Sequence, residues 1–212
     1  MRPEDKLKED IEFIRKRVEE SGTYANIPAS GYIFAGVLGL CACLLTYYRL
    51  GTDTLSNISV IDSREIIFLA TTWGLIFIFS VIAVVHLSVL NARDQGIQAW
   101  NSLTSRIFLS QIPVVLTAGV LTMALTTMSV YELIPAVWLL CYSIIVFSFS
   151  YYTGIEHRIQ GIIFLILGVF SAFAPAGFSL IFLAIGFGGV NIVFGSLRWF
   201  KLVGRHGSEE TE

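Results

Sequence analysis

Residues 153–161 read TGIEHRIQG and place a carboxylate, an imidazole and a guanidinium side by side at Glu156, His157 and Arg158. No other stretch of the C-terminal half does so. Such a trio could form a catalytic or metal-binding cluster. It could equally be the polar hinge of a hairpin, since apolar runs flank it on both sides. His86, followed by Asn91 and Arg93, lies near the end of another apolar run and brings a second imidazole to the same side. Two histidines could ligate a metal or a haem. Zinc usually takes three or four protein ligands, and a bis-histidine haem needs both imidazoles on facing helices at similar depth. The third histidine, His206, is in the C-terminal tail. The expectation is therefore an interfacial histidine bonded to a neighbouring helix, with no metal and no cofactor. Glu156 is expected to pair with Arg158, Arg93 or Arg106, and Arg158 to act as a charged anchor at a span end.

Asn191 is the other polar side chain of interest. In FLAIGFGGVNIVFGS, Ala184, Gly188, Asn191 and Gly195 recur at steps of four, three and four. They form a small-residue helix face with an amide at its centre. Gly31, Ala35, Gly39 and Cys43 form a similar stripe at strict steps of four. Small residues at such spacing let helix backbones approach closely in lipid, where packing and not water expulsion drives association. Both stripes are expected to be helix contacts, with Asn191 bonded to a neighbouring helix. A sharper reading places Asn191 in a small cavity that holds an apolar ligand or lipid.

These residues sit in a chain of 212, of which 55% are hydrophobic and 14% charged. A soluble domain carries roughly 25% charged residues. Here the charges gather at the two ends and in a few short gaps. Between the gaps lie apolar runs close to the roughly 20 residues that a bilayer span needs. Six are expected, at about 28–48, 66–90, 107–130, 133–152, 159–174 and 177–199. Gln111 and Pro113 read as punctuation at the start of the third. The fifth is short, and a tight Pro-Gly turn at APAG joins it to the sixth, so a re-entrant hairpin is the alternative there. The fold class is all-α, a polytopic helical bundle. Cys41, Cys43 and Cys141 fall inside apolar runs and read as small core residues and not as a disulfide framework. With a net charge of −2, nothing points to nucleic acid.

No span carries Asp, Glu, Lys or Arg away from its ends. Ionisable groups inside the membrane mark ion pathways and proton relays, so their absence argues against an ion-coupled transporter. It argues equally against an intramembrane enzyme with a buried nucleophile and base. The chain has no HExxH, GxSxG or CxxC motif.

Basic residues set the orientation. With the N-terminus inside, Arg2, Lys6, Lys8, Arg15, Lys16, Arg17, Arg93, Arg106, Arg158, Arg198, Lys201 and Arg205 lie inside. Only Arg49 and Arg64 lie outside, which is 12 against 2 and accounts for all 14. Both termini are thus expected in the cytoplasm. Residues 1–22 form a cytoplasmic amphipathic helix in which Leu7, Ile11, Ile14 and Val18 make one apolar stripe. Its six basic and seven acidic residues suit a protein contact better than anionic lipid. Residues 23–200 form the membrane domain, and 201–212 a polar tail.

The stretches QIPVVLTAG, YELIPAVWLLCYSI, SYYTGIEHRIQGIIFLILGVFSAF and AIGFGGVNIVFGS resemble an uncharacterised family of bacterial inner-membrane proteins. The resemblance implies a charged N-terminal helix, a Pro-Ala element before the fourth span, an acidic-x-Arg hinge and a GFG element in the sixth. It implies no activity. The family hinge usually reads acidic-Ile-Arg, so Glu156 and Arg158 match it and His157 does not.

The expected function is non-enzymatic: an interaction or regulatory module that links the bilayer to a cytosolic partner through residues 3–20. The alternative is a small permease or channel, working as a homo-oligomer, with a neutral pathway near Asn191. A weaker one is an enzyme at the cytoplasmic rim around Glu156, His157 and His86. Membrane lipids are partners in every case. The topology is open to test. An impermeant thiol reagent should label cysteines introduced at Leu55 and Val130 in intact cells, and those at Gln95, Gly154 and Ser208 only after lysis. Labelling at Gly154 from outside would contradict both the span count and the orientation.

Overall fold

The computed structural model describes residues 28–56, 61–94 and 102–209, and every regular element in that range is helical. The helices are α1 (Ala29–Ser56), α2 (Ser63–Asp94), α3 (Ser102–Thr127), α4 (Ile134–Thr153) and α5 (Ile155–Phe173). A sixth rod follows in three pieces: α6 (Ser179–Leu183), a π-helical segment (Ala184–Val190) and α7 (Asn191–Glu209). Among the described residues, six stretches are long and apolar enough to cross a membrane: Ala29–Gly51, Ser63–Asp94, Thr104–Thr127, Tyr131–Tyr151, Ile155–Phe173 and Ser179–Phe200. The stripe Leu7, Ile11, Ile14 and Val18 lies outside the described residues. Successive helices run in opposite directions. One end of the bundle, the near end, holds the starts of α1, α3 and α5 and the ends of α2, α4 and α7.

Local chemistry places the breaks. Pro135 sits in the first turn of α4, where its missing N–H would have had no helical partner. Gly154 closes α4 at φ 100°, ψ −170°, a conformation that an L side chain rarely adopts. Its N–H still donates to the Ser150 carbonyl at 3.0 Å, and α5 starts at the next residue. The hinge is therefore a single residue. Glu156, His157 and Arg158 are not in a loop but in the first turn of α5. This corrects the expected start of the fifth span at 159. At 19 residues it is about 28 Å long at 1.5 Å per residue. The third span also begins earlier than expected, so Pro113 lies inside α3 and leaves the Leu109 carbonyl without its usual intrahelical donor.

α4 and α5 share the most extensive contact, and α1 packs along α7, the π-helical segment and α2. Both main interfaces are built on glycine. A Cβ at Gly36 would stand 2.9 Å from the Gly188 carbonyl oxygen and 3.0 Å from the Ile192 nitrogen. One at Gly39 would stand 3.0 Å from the Phe187 carbonyl oxygen, and one at Gly195 would stand 2.9 Å from the Ala29 carbonyl oxygen. One at Gly188 would collide with Leu40. Between α4 and α5, a Cβ at Gly161 or Gly168 would reach 3.1 Å from the Phe147 or Leu140 nitrogen.

The α1 stripe differs in register from its expectation. Ala29, Tyr32, Gly36, Gly39, Cys43, Thr46 and Leu50 are buried, at alternating steps of three and four. Strict steps of four drift by about 40° each on a helix of 3.6 residues per turn. Gly31, Gly39 and Cys43 are buried, but Ala35 slips to the half-exposed edge and Gly36 takes its place. On the last rod Gly188, Asn191 and Gly195 are buried, with Ala184 half-buried.

A central core of Cys43, Leu139, Phe164, Leu183 and Val190 fills the bundle, with Tyr142 and Phe187 packed against it. The Tyr142 ring meets Phe164 at 4.6 Å and Phe187 at 5.1 Å between centroids, both edge-on. α2 has no buried residue. It is held to α1 by Trp73 Nε1, which donates to Thr46 Oγ1 at 3.2 Å. α3 is held to α4 by Trp138 Nε1, which donates to Thr122 Oγ1 at 3.1 Å. The glycine contacts make a matched test. Gly36→Leu and Gly195→Leu should each lower stability by about 3 kcal/mol or prevent folding, because the added atoms meet backbone. Gly74→Leu and Gly119→Leu, where nothing lies within 4 Å of an added Cβ, should be tolerated. Thermal unfolding of the four variants in detergent checks this.

Candidate functional site

Because α5 restarts at Ile155, its first turn points three consecutive side chains in three directions, about 100° apart. Glu156 turns toward α7, where its Oε2 lies 3.6 Å from Arg198 Nε, with the two side chains 35% and 16% exposed. This corrects the expected pairing with Arg158, Arg93 or Arg106. Arg158 turns outward, exposed, with its guanidinium 6.0 Å from the centroid of the Phe147 ring. His157 turns inward and is only 3% exposed, not an interfacial residue at the bundle surface.

His157 Nε2 lies 2.5 Å from the hydroxyl of Tyr32 on α1. The two rings are 5.8 Å apart and tilted at 52°. The other face of the arrangement belongs to Arg198, whose guanidinium carbon sits 5.6 Å from the centroid of the Tyr32 ring. Tyr32 is thus the central member. It joins an imidazole on α5 to a guanidinium on α7, and that guanidinium returns to α5 through Glu156. Among the described residues, buried His157 Nδ1 has no hydrogen-bond partner.

One turn deeper, Gln160 lies on the same helix face as His157. Its Nε2 donates to Asn191 Oδ1 at 2.9 Å. The Asn191 backbone N–H donates to the Gly188 carbonyl. Its side-chain Nδ2 donates at 3.0 Å to the Phe187 carbonyl, the acceptor that a regular α-helix would give to the backbone N–H. Gln160 and Asn191 are 1% and 2% exposed. Asn191 is therefore bonded to a neighbouring helix, and its amide is engaged on both sides. The aromatic and aliphatic core begins immediately beyond it.

Sequence reasoning singled out Glu156, His157, Arg158 and Asn191. The structure brings the first two into one cluster with Tyr32 and Arg198, places Asn191 one turn deeper, and sends Arg158 away. His86 stays exposed on α2 and is not among the hydrogen-bonded members. Tyr32, Gln160 and Arg198 were missed. Tyr32 sits three residues after Ala29 and four before Gly36 on the alternating α1 seam, so that seam was the available signal. Among the described residues, no group of three or more His, Cys, Asp and Glu side chains stands close enough to share a metal ion. No protein-family model matches the chain, and no match emerged among curated proteins or solved structures.

The geometry reverses the ranking that a surface hinge would give. His157→Ala should lower stability by about 1–3 kcal/mol, because the buried Tyr32 hydroxyl loses its partner. Glu156→Gln should change stability by under about 1 kcal/mol, as for a partly exposed pair. Asn191→Leu should cost about 1–3 kcal/mol by leaving Gln160 unsatisfied. Gln160→Leu with Asn191→Leu should then cost less than the sum of the two single changes. Unfolding of the variants in detergent measures all of these. An additive Gln160–Asn191 pair would show that the two amides do not interact.

Proposed function

We propose that the chain is a non-enzymatic multi-pass protein of a bacterial inner membrane, a member of the uncharacterised family it resembles. Both of its termini are cytoplasmic. It works as an interaction or regulatory module in which the apolar stripe Leu7, Ile11, Ile14 and Val18 engages a cytosolic protein. The distribution of basic residues supports the orientation. Arg93, Arg106, Arg158 and Arg198 belong to the near end of the bundle, and Arg49 and Arg64 to the far end, so the near end is the cytoplasmic one.

The observation that carries the reading is that the buried and half-buried polar side chains of the near end are engaged with one another. Tyr32 is joined to His157, Arg198 to Glu156 and Gln160 to Asn191. Each pair ties two helices together, which is the structural use of polar groups in a membrane bundle. A neutral pathway past Asn191 has less support, because the amide is bonded on both sides and opens onto the packed core. α1 follows directly on residues 1–28, so the segment that would bind a partner is joined to the helix that carries Tyr32.

Affinity capture of the detergent-solubilised full chain tests the module. The intact protein should retain a defined cytosolic protein. A chain lacking residues 1–22, and the pair Ile11→Asp with Ile14→Asp, should lose it while their membrane domains unfold at the same temperature. Glu12→Lys, off the stripe, should retain it. Equal recovery by all four proteins would overturn the reading.

A further inference from the structure

We propose that Tyr32 and His157 form a proton-operated latch, which holds the cytoplasmic start of α1 against α5 and α7 and releases it when the imidazole takes up a proton. The inference goes beyond the module reading and does not depend on a partner. It rests on four features of the near end. First, the contact bridges the two helices at their first turns, next to the glycine hinge at Gly154 and the start of the chain's first span. Second, the ring is buried and only Nε2 is bonded, while Nδ1 meets no hydrogen-bond partner. With a neutral imidazole bearing its proton on Nδ1, the Tyr32 hydroxyl donates to Nε2, and one uncharged N–H is left unpaired. Proton uptake turns both nitrogens into donors. Nε2 then donates to the Tyr32 oxygen, so that contact reverses direction and the Tyr32 proton must find another acceptor, while Nδ1–H becomes part of a buried cation without an acceptor.

Third, the charges nearby are arranged against a second cation. Among the described residues, the titratable and charged groups that act on the cluster are Tyr32 from α1, Arg198 from α7 and Glu156 on α5 itself. Tyr142 of α4 faces Tyr32. Glu156, the one anion among them, is already paired with Arg198, and Arg198 lies over the Tyr32 ring. Fourth, the alternative to the closed state is close at hand. His157 stands in the first turn of its helix at the bundle's end, so a small outward shift of the α1 start would bring water to both nitrogens. Proton uptake favours that open arrangement because it solvates the imidazolium and separates it from Arg198.

Hydrogen–deuterium exchange of the full chain in lipid nanodiscs tests the latch, with rates corrected for the intrinsic pH dependence of amide exchange. Between about pH 7.5 and about pH 5, the range over which an imidazole titrates, protection of residues 29–36 and 155–160 should fall by about tenfold. Residues 140–148, in the middle of α4, should be unchanged. His157→Gln should abolish the pH response, and His86→Gln should keep it. Tyr32→Phe preserves the ring and removes the hydroxyl, so its α1 start should already be poorly protected at the higher pH. That variant also decides the matter if His157→Gln fails to fold. A wild-type chain with no pH response, a response that survives His157→Gln, or a Tyr32→Phe chain protected like the wild type would each overturn the latch.

Discussion

Two backbones meet along one seam of the bundle. α1 and the last rod approach until there is no room for a single Cβ at Gly36, Gly39, Gly188 or Gly195. In a hydrocarbon solvent, apolar side chains gain little by leaving lipid for protein, so dense backbone packing of this kind is what brings helices together. The rest of the near end depends on it. Tyr32 lies one turn before Gly36, and Arg198 one turn after Gly195. Fixing the glycines fixes the guanidinium over the phenol ring. The second glycine interface, at Gly161 and Gly168, seats α5 against α4 along the same buried face that carries His157 and Gln160, and so fixes where those two side chains meet Tyr32 and Asn191.

On that frame the polar pairs act mainly as selectors of register. Side-chain hydrogen bonds between membrane helices contribute about 0.6 kcal/mol on average, no more than in soluble proteins. An unpaired amide in the same place costs several times that. A slip of α5 by one residue against the α1–α7 pair would separate Gln160 from Asn191 and His157 from Tyr32 together. The wrong register is therefore penalised twice.

The number of helices and their class were legible because apolar runs of span length are a coarse signal that needs no tertiary information. The buried face of α1 was legible only in part. Steps of four and alternating steps of three and four share Gly39 and Cys43, and only the helix twist separates Ala35 from Gly36. His157 was hidden by its neighbours. With Glu156 and Arg158 on either side, the stretch reads as a polar loop, and nothing in the sequence tells that the helix restarts within one residue of Gly154. Arg198 was visible as a positive charge at a span end, but its place over Tyr32 is a product of the α1–α7 contact. Asn191 was legible as a helix-bonded amide, although its partner, Gln160, was not.

The π-helical segment Ala184–Val190 changes the rotational phase of the sixth rod partway along its length. Before the change is complete, Gly186 faces Leu139 and Phe164 on α4 and α5, whereas Gly188, Gly195 and Asn191 serve α1 and α5. One rod therefore presents its small residues to different neighbours on either side of the segment. The two halves are geared through this segment, and a single residue sets the offset between them. A chain one residue shorter here would turn everything beyond it by about 100°. Asn191, Gly195 and Arg198 would then leave their partners at one stroke, while Ser179 and Leu183 stayed in place.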